Sequence, residues 1–329
     1  MAPPPFMRLF HPHRAPLRYG FSLYTDFPSL TDATVKPRNG VMNTHAGLSI
    51  FMALAFGLAG CSKAAKPGNA PTGIRIVSLA PSLTEIVCAI AGTEVLAGRT
   101  SACDYPPEII DRVPIVGGFG VPSIETILSI EPTIILEADL ADQTMANQME
   151  ALGLRRERIA CKSVRDIPLA IEKVGTLIGY EPQALELAGR IRSELADWQA
   201  RSETSGTHPL VYAEIWNDPI TTAGTNSFLS DLINLAGGRN LGDQAGNDYF
   251  TLDPEWILKQ NPDIILCFYM SREGTVRETV LKRPGWAHVK AVTNGAVYDG
   301  FDNNIILRPG PRVIQGIEAL HRSISQSVP

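Results

Sequence analysis

Ring-bearing and hydroxyl residues dominate the positions in this sequence that could do chemistry. Groupings of nucleophile with base are missing. No G-x-S-x-G elbow and no H-E-x-x-H pair occurs, so neither a serine raised on a strained turn nor a zinc gripped from one helix face has a local signature. Past residue 60 the histidines are His208, His288 and His321, too scattered for the several converging ligands that a transition-metal site needs. Gly118-Phe119-Gly120-Val121-Pro122-Ser123, with Glu137 further on, imitates a dinucleotide-binding turn, but Ser123 replaces the third glycine and Pro122 interrupts the turn. What remains is a set of aromatic and polar residues at or just beyond the ends of apolar runs. Pro81, Ser82, Tyr105 and Phe119 lie in the first half, and Trp216, Tyr249, Phe250, Tyr269, Phe301 and Arg308 in the second. Large ring faces with a few polar handles suit a bulky, partly apolar ligand such as a macrocycle or a chelate. Any one of these rings could equally pack a core; the argument rests on their common position at strand ends, where open α/β sheets hold ligands.

The elements that must position them follow from apolar periodicity. Ile74–Leu79 reads as a buried strand, broken at Ala80-Pro81-Ser82 and followed by a helix from Thr84 to Ala91, with a strand at Val95–Gly98. Alternation of strands and helices points to parallel α/β architecture, because parallel neighbours need crossover connections. A duplicated segment stands out: Ser123 through Glu125 and Pro132 to Leu136, and about 130 residues later Asp253 through Glu255 and Pro262 to Leu266. Each copy reads as an N-cap, a short helix, a proline stop and a buried strand. That spacing is far longer than the roughly 20–50 residues of a solenoid repeat, so two lobes of similar construction are expected. Between them, Asp166–Ile178 forms one helical run and Pro182 to about Arg201 a second. In the second run Leu185, Ala188, Ile191, Leu195 and Trp198 are spaced three or four apart, forming an apolar stripe. A helix of that length could bridge both lobes or serve one core; spacing alone fits either. In the second lobe strands are expected at Leu210–Trp216, Ile264–Tyr269 and Ala296–Tyr298, with helices at Phe228–Ala236 and from about Pro311 to Ser323.

Composition narrows the classes further. The chain has 329 residues, 44% hydrophobic and 19% charged, with a net charge of -5 and no long basic run; it can build real cores, and an electrostatic grip on nucleic acid is not expected. Ala46–Gly60 is uncharged and mostly apolar, shorter than the roughly 20 residues needed to span a bilayer, and reads as a signal-peptide core. Leu58-Ala59-Gly60-Cys61 after it resembles the lipobox of bacterial lipoproteins, which makes Cys61 the lipidation site and the anchor. Residues 1–41 have no periodicity and read as leader, and 61–73 as a polar tether. The lobes are expected at 74–165 and 204–329, with 166–203 connecting them. Cys88, Cys103, Cys161 and Cys267 permit disulfides in an oxidising compartment without specifying any.

From about residue 74 to 325 the order of motifs resembles the helical-backbone (class III) substrate-binding proteins of bacterial ABC importers, the group that serves cobalamin, ferric siderophores and haem. The resemblance is carried by Val77-Ser78-Leu79-Ala80-Pro81-Ser82-Leu83-Thr84-Glu85, Asp104-Tyr105-Pro106-Pro107 and Val116-Gly117-Gly118-Phe119-Gly120 leading to Glu125. Gly237-Gly238-Arg239-Asn240 and Arg308-Pro309-Gly310-Pro311-Arg312 complete it. It implies two Rossmann-like lobes joined by a rigid helix, ligand between them, and little closure on binding. It also implies a monomer without catalytic activity or resident cofactor, exported and lipid-anchored on the periplasmic or extracellular side. Glu125 and Glu255 would dock onto arginines of a membrane permease that works with a cytoplasmic ATPase; at the start of a helix each would also suit the helix dipole. The Asp-Tyr-Pro-Pro loop, the Trp216-Asn217-Asp218-Pro219 turn and the Arg-Pro-Gly-Pro-Arg stretch look most like cobalamin-binding members, with Ala102 where an aromatic would be expected. Cobalamin or a related corrinoid is therefore the expected ligand, a ferric siderophore or haem the alternative, and an exported cofactor-binding enzyme the reading from another class.

Overall fold

A computed structural model describes residues 73–138, 143–269 and 276–327. The expectations for the leader, for Cys61 and for the tether up to residue 72 lie outside the described residues. The first half runs β1 (Ile76–Ser78), α1 (Pro81–Ala91), β2 (Leu96–Arg99), α2 (Ile109–Arg112), β3 (Gly117–Gly118), β4 (Val121–Pro122), α3 (Ile124–Ile130), β5 (Ile134–Glu137), α4 (Gln143–Ala151) and β6 (Arg156–Arg158). Its main sheet has the order β2-β1-β5-β6, parallel throughout. Such a sheet needs cover on both faces, hence inner strands with successive apolar residues that face opposite sides. Ile76 accordingly faces one core cluster and Val77 the other.

Helix α1 starts at Pro81, three residues earlier than its periodicity suggested. Proline's fixed φ and missing N–H suit the first helical position, so Ala80-Pro81-Ser82 opens the helix instead of separating it from the strand.

Two helices join the halves. α5 (Asp166–Ile178) closes on Gly179 in the left-handed conformation, and α6 (Glu181–Thr204) follows at once. At 1.5 Å per residue the 24 residues of α6 reach about 36 Å. α6 packs against α1 of the first half and against α7 (Phe228–Leu235) and α12 (Val313–Gln326) of the second, which decides for the bridging role. One apolar cluster accordingly runs from Leu83 and Ile86 through Ile171, Val174, Ala188 and Ile191 to Leu232, Ile317 and Leu320. The buried stripe of α6 is Ala184, Leu187, Ala188, Ile191 and Trp198. Leu185, expected in it, is 59% exposed. The close approach of α5 sets this phase: a Cβ added to Gly175 would lie 2.2 Å from the Ala184 Cβ.

The second half continues with β7 (Leu210–Glu214), β8 (Trp216–Asn217), β9 (Ile220–Ala223), α7, β10 (Arg239–Asn240), β11 (Tyr249–Thr251), α8 (Pro254–Gln260), β12 (Ile264–Cys267), α9 (Val276–Leu281), α10 (Lys290–Thr293), β13 (Val297–Tyr298), α11 (Asn303–Ile306) and α12. Its parallel sheet, β10-β7-β12-β13, repeats the arrangement of the first: the opening strand sits between the second and third. The duplicated segment is the same structure twice. Ser123 Oγ accepts from Thr126 N at the start of α3 and Asp253 Oδ1 from Glu255 N at the start of α8. Both helices span seven residues, and both end on a left-handed residue just before a proline, Glu131 at φ 52° and Asn261 at φ 50°.

Candidate functional site

The carboxyl ends of the two sheets are joined by charge. Beyond β2, the loop carrying Asp104 and Tyr105 holds a cis Tyr105–Pro106 bond. Beyond β13, the chain passes through α11 to Arg308 and Arg312. Arg308 donates to Asp104 Oδ1 at 2.6 Å and to the Ala102 carbonyl at 3.1 Å. Arg312 grips both oxygens of Glu85, on α1, at 2.8 and 2.6 Å, and its guanidinium lies 4.0 Å above the Tyr105 ring. Asn304 adds a 3.4 Å bond to Asp104. Glu85 is only 4% exposed, a depth at which a carboxylate persists only when paired. Burial works against the charge of Arg312, yet the hydrogen bonds and charge of Glu85 outweigh it and hold its pKa above the ordinary arginine value.

This cluster links residues more than 200 positions apart, and sequence reasoning did not find it. Asp104, Glu85, Arg308 and Arg312 all stood in the motifs, but nothing local paired them. It also gives Arg308 a different surrounding from that of an open ligand handle: at 8% exposure its guanidinium is occupied by Asp104, the Ala102 carbonyl and, at 3.5 Å, Glu85. Pro81 and Ser82 are buried in the first turn of α1. Tyr105 remains 40% exposed.

A second ionic group sits at the carboxyl end of β7. The fully buried Glu214 receives both guanidinium nitrogens of Arg283, at 2.6 and 2.5 Å, together with the Tyr212 hydroxyl at 2.9 Å. Arg283 reaches on to the Tyr269 hydroxyl at 3.0 Å, and Asn303 bonds the Phe268 and Tyr269 carbonyls. Phe301 packs on Phe268 with ring centres 5.1 Å apart. Tyr269 and Phe301 are thereby brought together beyond the carboxyl end of β12.

The antiparallel sheet β11-β9-β8 leaves the same strand β7. Trp216 pairs with Thr221 and Thr221 with Thr251, so the two-residue period sets Trp216 and Tyr249 on one face and Phe250 on the other. Trp216 and Tyr249 are 37% and 53% exposed, whereas Phe250, opposite the buried Thr222, is half-buried.

In the first half, Gly117–Pro122 forms the hairpin of β3 and β4, not the strand-turn-helix of a dinucleotide site. Phe119 is at its tip, half-buried over a cavity between the sheet and α4. Glu125 and Glu255 are exposed in the first turns of the two equivalent helices, so the repeat presents one carboxylate per half at matching positions. Among the described residues no group of three or more His, Cys, Asp or Glu could hold a metal ion, and no helix is long and apolar enough to cross a membrane.

The comparisons with known proteins agree with this geometry. Residues 76–302 match the family described as periplasmic binding protein. An uncharacterized ABC transporter substrate-binding lipoprotein of Bacillus subtilis, YvrC, is 31% identical over 258 residues, covering 76% of this chain and 79% of its own. A vitamin B12-binding protein of Pectobacterium atrosepticum is 24% identical over 197 residues, 58% of this chain and 70% of its own. Among solved structures, the apo periplasmic heme-binding protein RhuT of Roseiflexus superposes with a TM-score of 0.69 at 28% identity, over 77% of this chain and 98% of that one. Two equivalent parallel sheets, a bridging helix and a match across most of the described residues lead to one assignment: the chain belongs to the periplasmic binding protein family, among the substrate-binding proteins of ABC transporters.

Proposed function

We propose that this chain captures cobalamin or a related corrinoid between its two halves and delivers it, chemically unaltered, to an ABC permease served by a cytoplasmic ATPase. The observation that carries the reading is the charge balance around exposed rings. Trp216 and Tyr249 expose rings on the second half, and Tyr105, with Arg312 over one face, exposes a ring on the first, while Arg283, Arg308 and Arg312 each already meet a carboxylate. Such a surface favours a bulky ligand with an uncharged, amide-bearing periphery. A polyanionic ferric chelate would ask for cations that these carboxylates already hold. The similarity to a vitamin B12-binding protein supports the same choice.

Haem is the second reading, favoured by the likeness to RhuT. In either case Glu125 and Glu255 are the docking residues for the permease, and acylation of Cys61 holds the exported protein at the membrane. Calorimetric titration of the purified chain with cyanocobalamin, haemin and a ferric hydroxamate separates the ligands. The corrinoid reading requires one cyanocobalamin per chain, bound at least tenfold more tightly than the other two. A preference for haemin or for the hydroxamate would replace it.

A further inference from the structure

The glycine-flanked hairpin and Glu137, which together imitate a dinucleotide fingerprint in the sequence, meet in the structure in another way. Leu79, Phe119, Pro122, Glu137, Met145 and Met149 line one cavity at the carboxyl ends of β1 and β5, on the edge of the sheet from which the Asp104 loop also departs. Its free space of about 20 Å³ admits one small polar group. The strand period assigns Glu137 to this cavity: Ile135, two residues earlier, packs with Val77, Ile127 and Met149 on the α3–α4 face, so the Glu137 side chain lies on that face too.

Glu137 is 2% exposed. Its Oε1 is bonded to Arg156, but Oε2 is buried without a hydrogen-bond partner among the described residues. Arg156 does not supply the deficit, because its other terminal nitrogen is committed to Glu150 at 2.6 Å, and its buried Nε is itself unpartnered among the described residues. One guanidinium is therefore shared by two carboxylates, and an acceptor with no donor among the described residues lines a cavity whose other walls, among them Leu79, Phe119, Pro122, Met145 and Met149, are apolar. Burial holds the Glu137 pKa above the ordinary carboxylate value against the lowering effect of Arg156, as expected of a carboxylate short of donors. A buried acceptor left unsatisfied is costly, and a ligand group that donates to it recovers that cost.

We propose that this cavity is a subsite of the ligand-binding edge, taking a small uncharged hydrogen-bond-donating arm of the carboxamide class, whose N–H donates to Glu137 Oε2, and rejecting a carboxylate arm. The proposal rests on the corrinoid reading, since a corrinoid carries peripheral carboxamides where haem carries propionates. Phe119 and the two methionines supply the apolar wall for the arm's methylene carbons.

The test compares cyanocobalamin with its monocarboxylic acids, each having one peripheral amide hydrolysed, on the wild-type chain and on Glu137→Gln. For one arm the wild-type chain is expected to bind the amide at least tenfold more tightly than the acid. Glu137→Gln, which can donate to a carboxylate, is expected to bring that ratio close to one. Met145→Phe, filling the cavity from its half-buried rim, gives a second reading independent of the charge: cyanocobalamin affinity is expected to fall about tenfold. An amide-to-acid ratio indifferent to Glu137, or an affinity indifferent to Met145→Phe, overturns the subsite and leaves the corrinoid reading standing. Failure of the wild-type chain to bind cyanocobalamin overturns both.

Discussion

The Glu85 side chain lies almost out of reach of water, and Arg312 comes from the other half of the chain to meet both of its oxygens. Removing one partner of such a pair leaves the other buried and uncompensated, at a cost of about 3–5 kcal/mol. Arg312→Ala is therefore expected to lower the unfolding free energy by about 3 kcal/mol in urea titrations, with Arg308 at 3.5 Å from Glu85 limiting the loss. The double change Glu85→Leu with Arg312→Met, which removes both charges, is expected to recover most of it. Asp231 gives a pH-dependent counterpart. Burial raises its pKa, although its carboxylate accepts from the Val164 amide at 3.0 Å. The native state then binds more protons than the unfolded chain in the window just above the ordinary carboxylate value, so stability falls as pH rises through that window. Asp231→Asn is expected to flatten that fall, becoming more stable relative to wild type as pH rises. Chemical denaturation at a series of pH values checks this, and a pH-independent difference would contradict it. At this scale the residue types were legible in the sequence and their pairings were not. Asp104, Arg308 and Arg312 stand in recognisable stretches, but only the fold brings positions 85 and 312 together.

Elements were more legible than contacts, because caps and periodicity are local. Ser123 and Asp253 as N-caps, the proline stops and the strands that follow appear in the structure as expected, and so does the repeat they compose. The failures are equally physical. Pro81 looks like a breaker in the sequence, yet the first helical turn welcomes proline. Spacing alone puts Leu185 in the α6 stripe where the structure buries Ala184, because Gly175, a position with no side chain of its own, decides which face α5 approaches. That approach makes a direct prediction. Gly175→Val forces a branched side chain into the 2.2 Å gap before Ala184 and is expected to cost about 3 kcal/mol, at the upper end for overpacking. Since α5 and α6 lie in the core that both halves share, the loss is expected as a single cooperative shift of the urea midpoint seen by every probe. Unfolding of one half alone would contradict that shared core.

Taken whole, the molecule is two copies of one sheet plan held by a bridging helix and by an ionic contact across their carboxyl ends, with a carboxylate at the same helical position on each copy. Such a body suits a carrier whose halves keep a fixed spacing while its cargo changes hands. Fold class and two-lobed build were legible in the sequence because the repeat and the order of motifs extend along most of the chain. The ligand was less so, because ring positions at strand ends state a chemistry and not a molecule. Glu125 and Glu255 test the carrier account, since both are exposed at the starts of α3 and α8. The decisive measurement is uptake of labelled cyanocobalamin by cells carrying the Glu125→Lys, Glu255→Lys protein, alongside the affinity of the same purified variant. The account predicts uptake reduced at least tenfold with affinity unchanged; uptake at the wild-type rate, or affinity lost along with it, would contradict the claim that these two carboxylates hand the cargo to a permease.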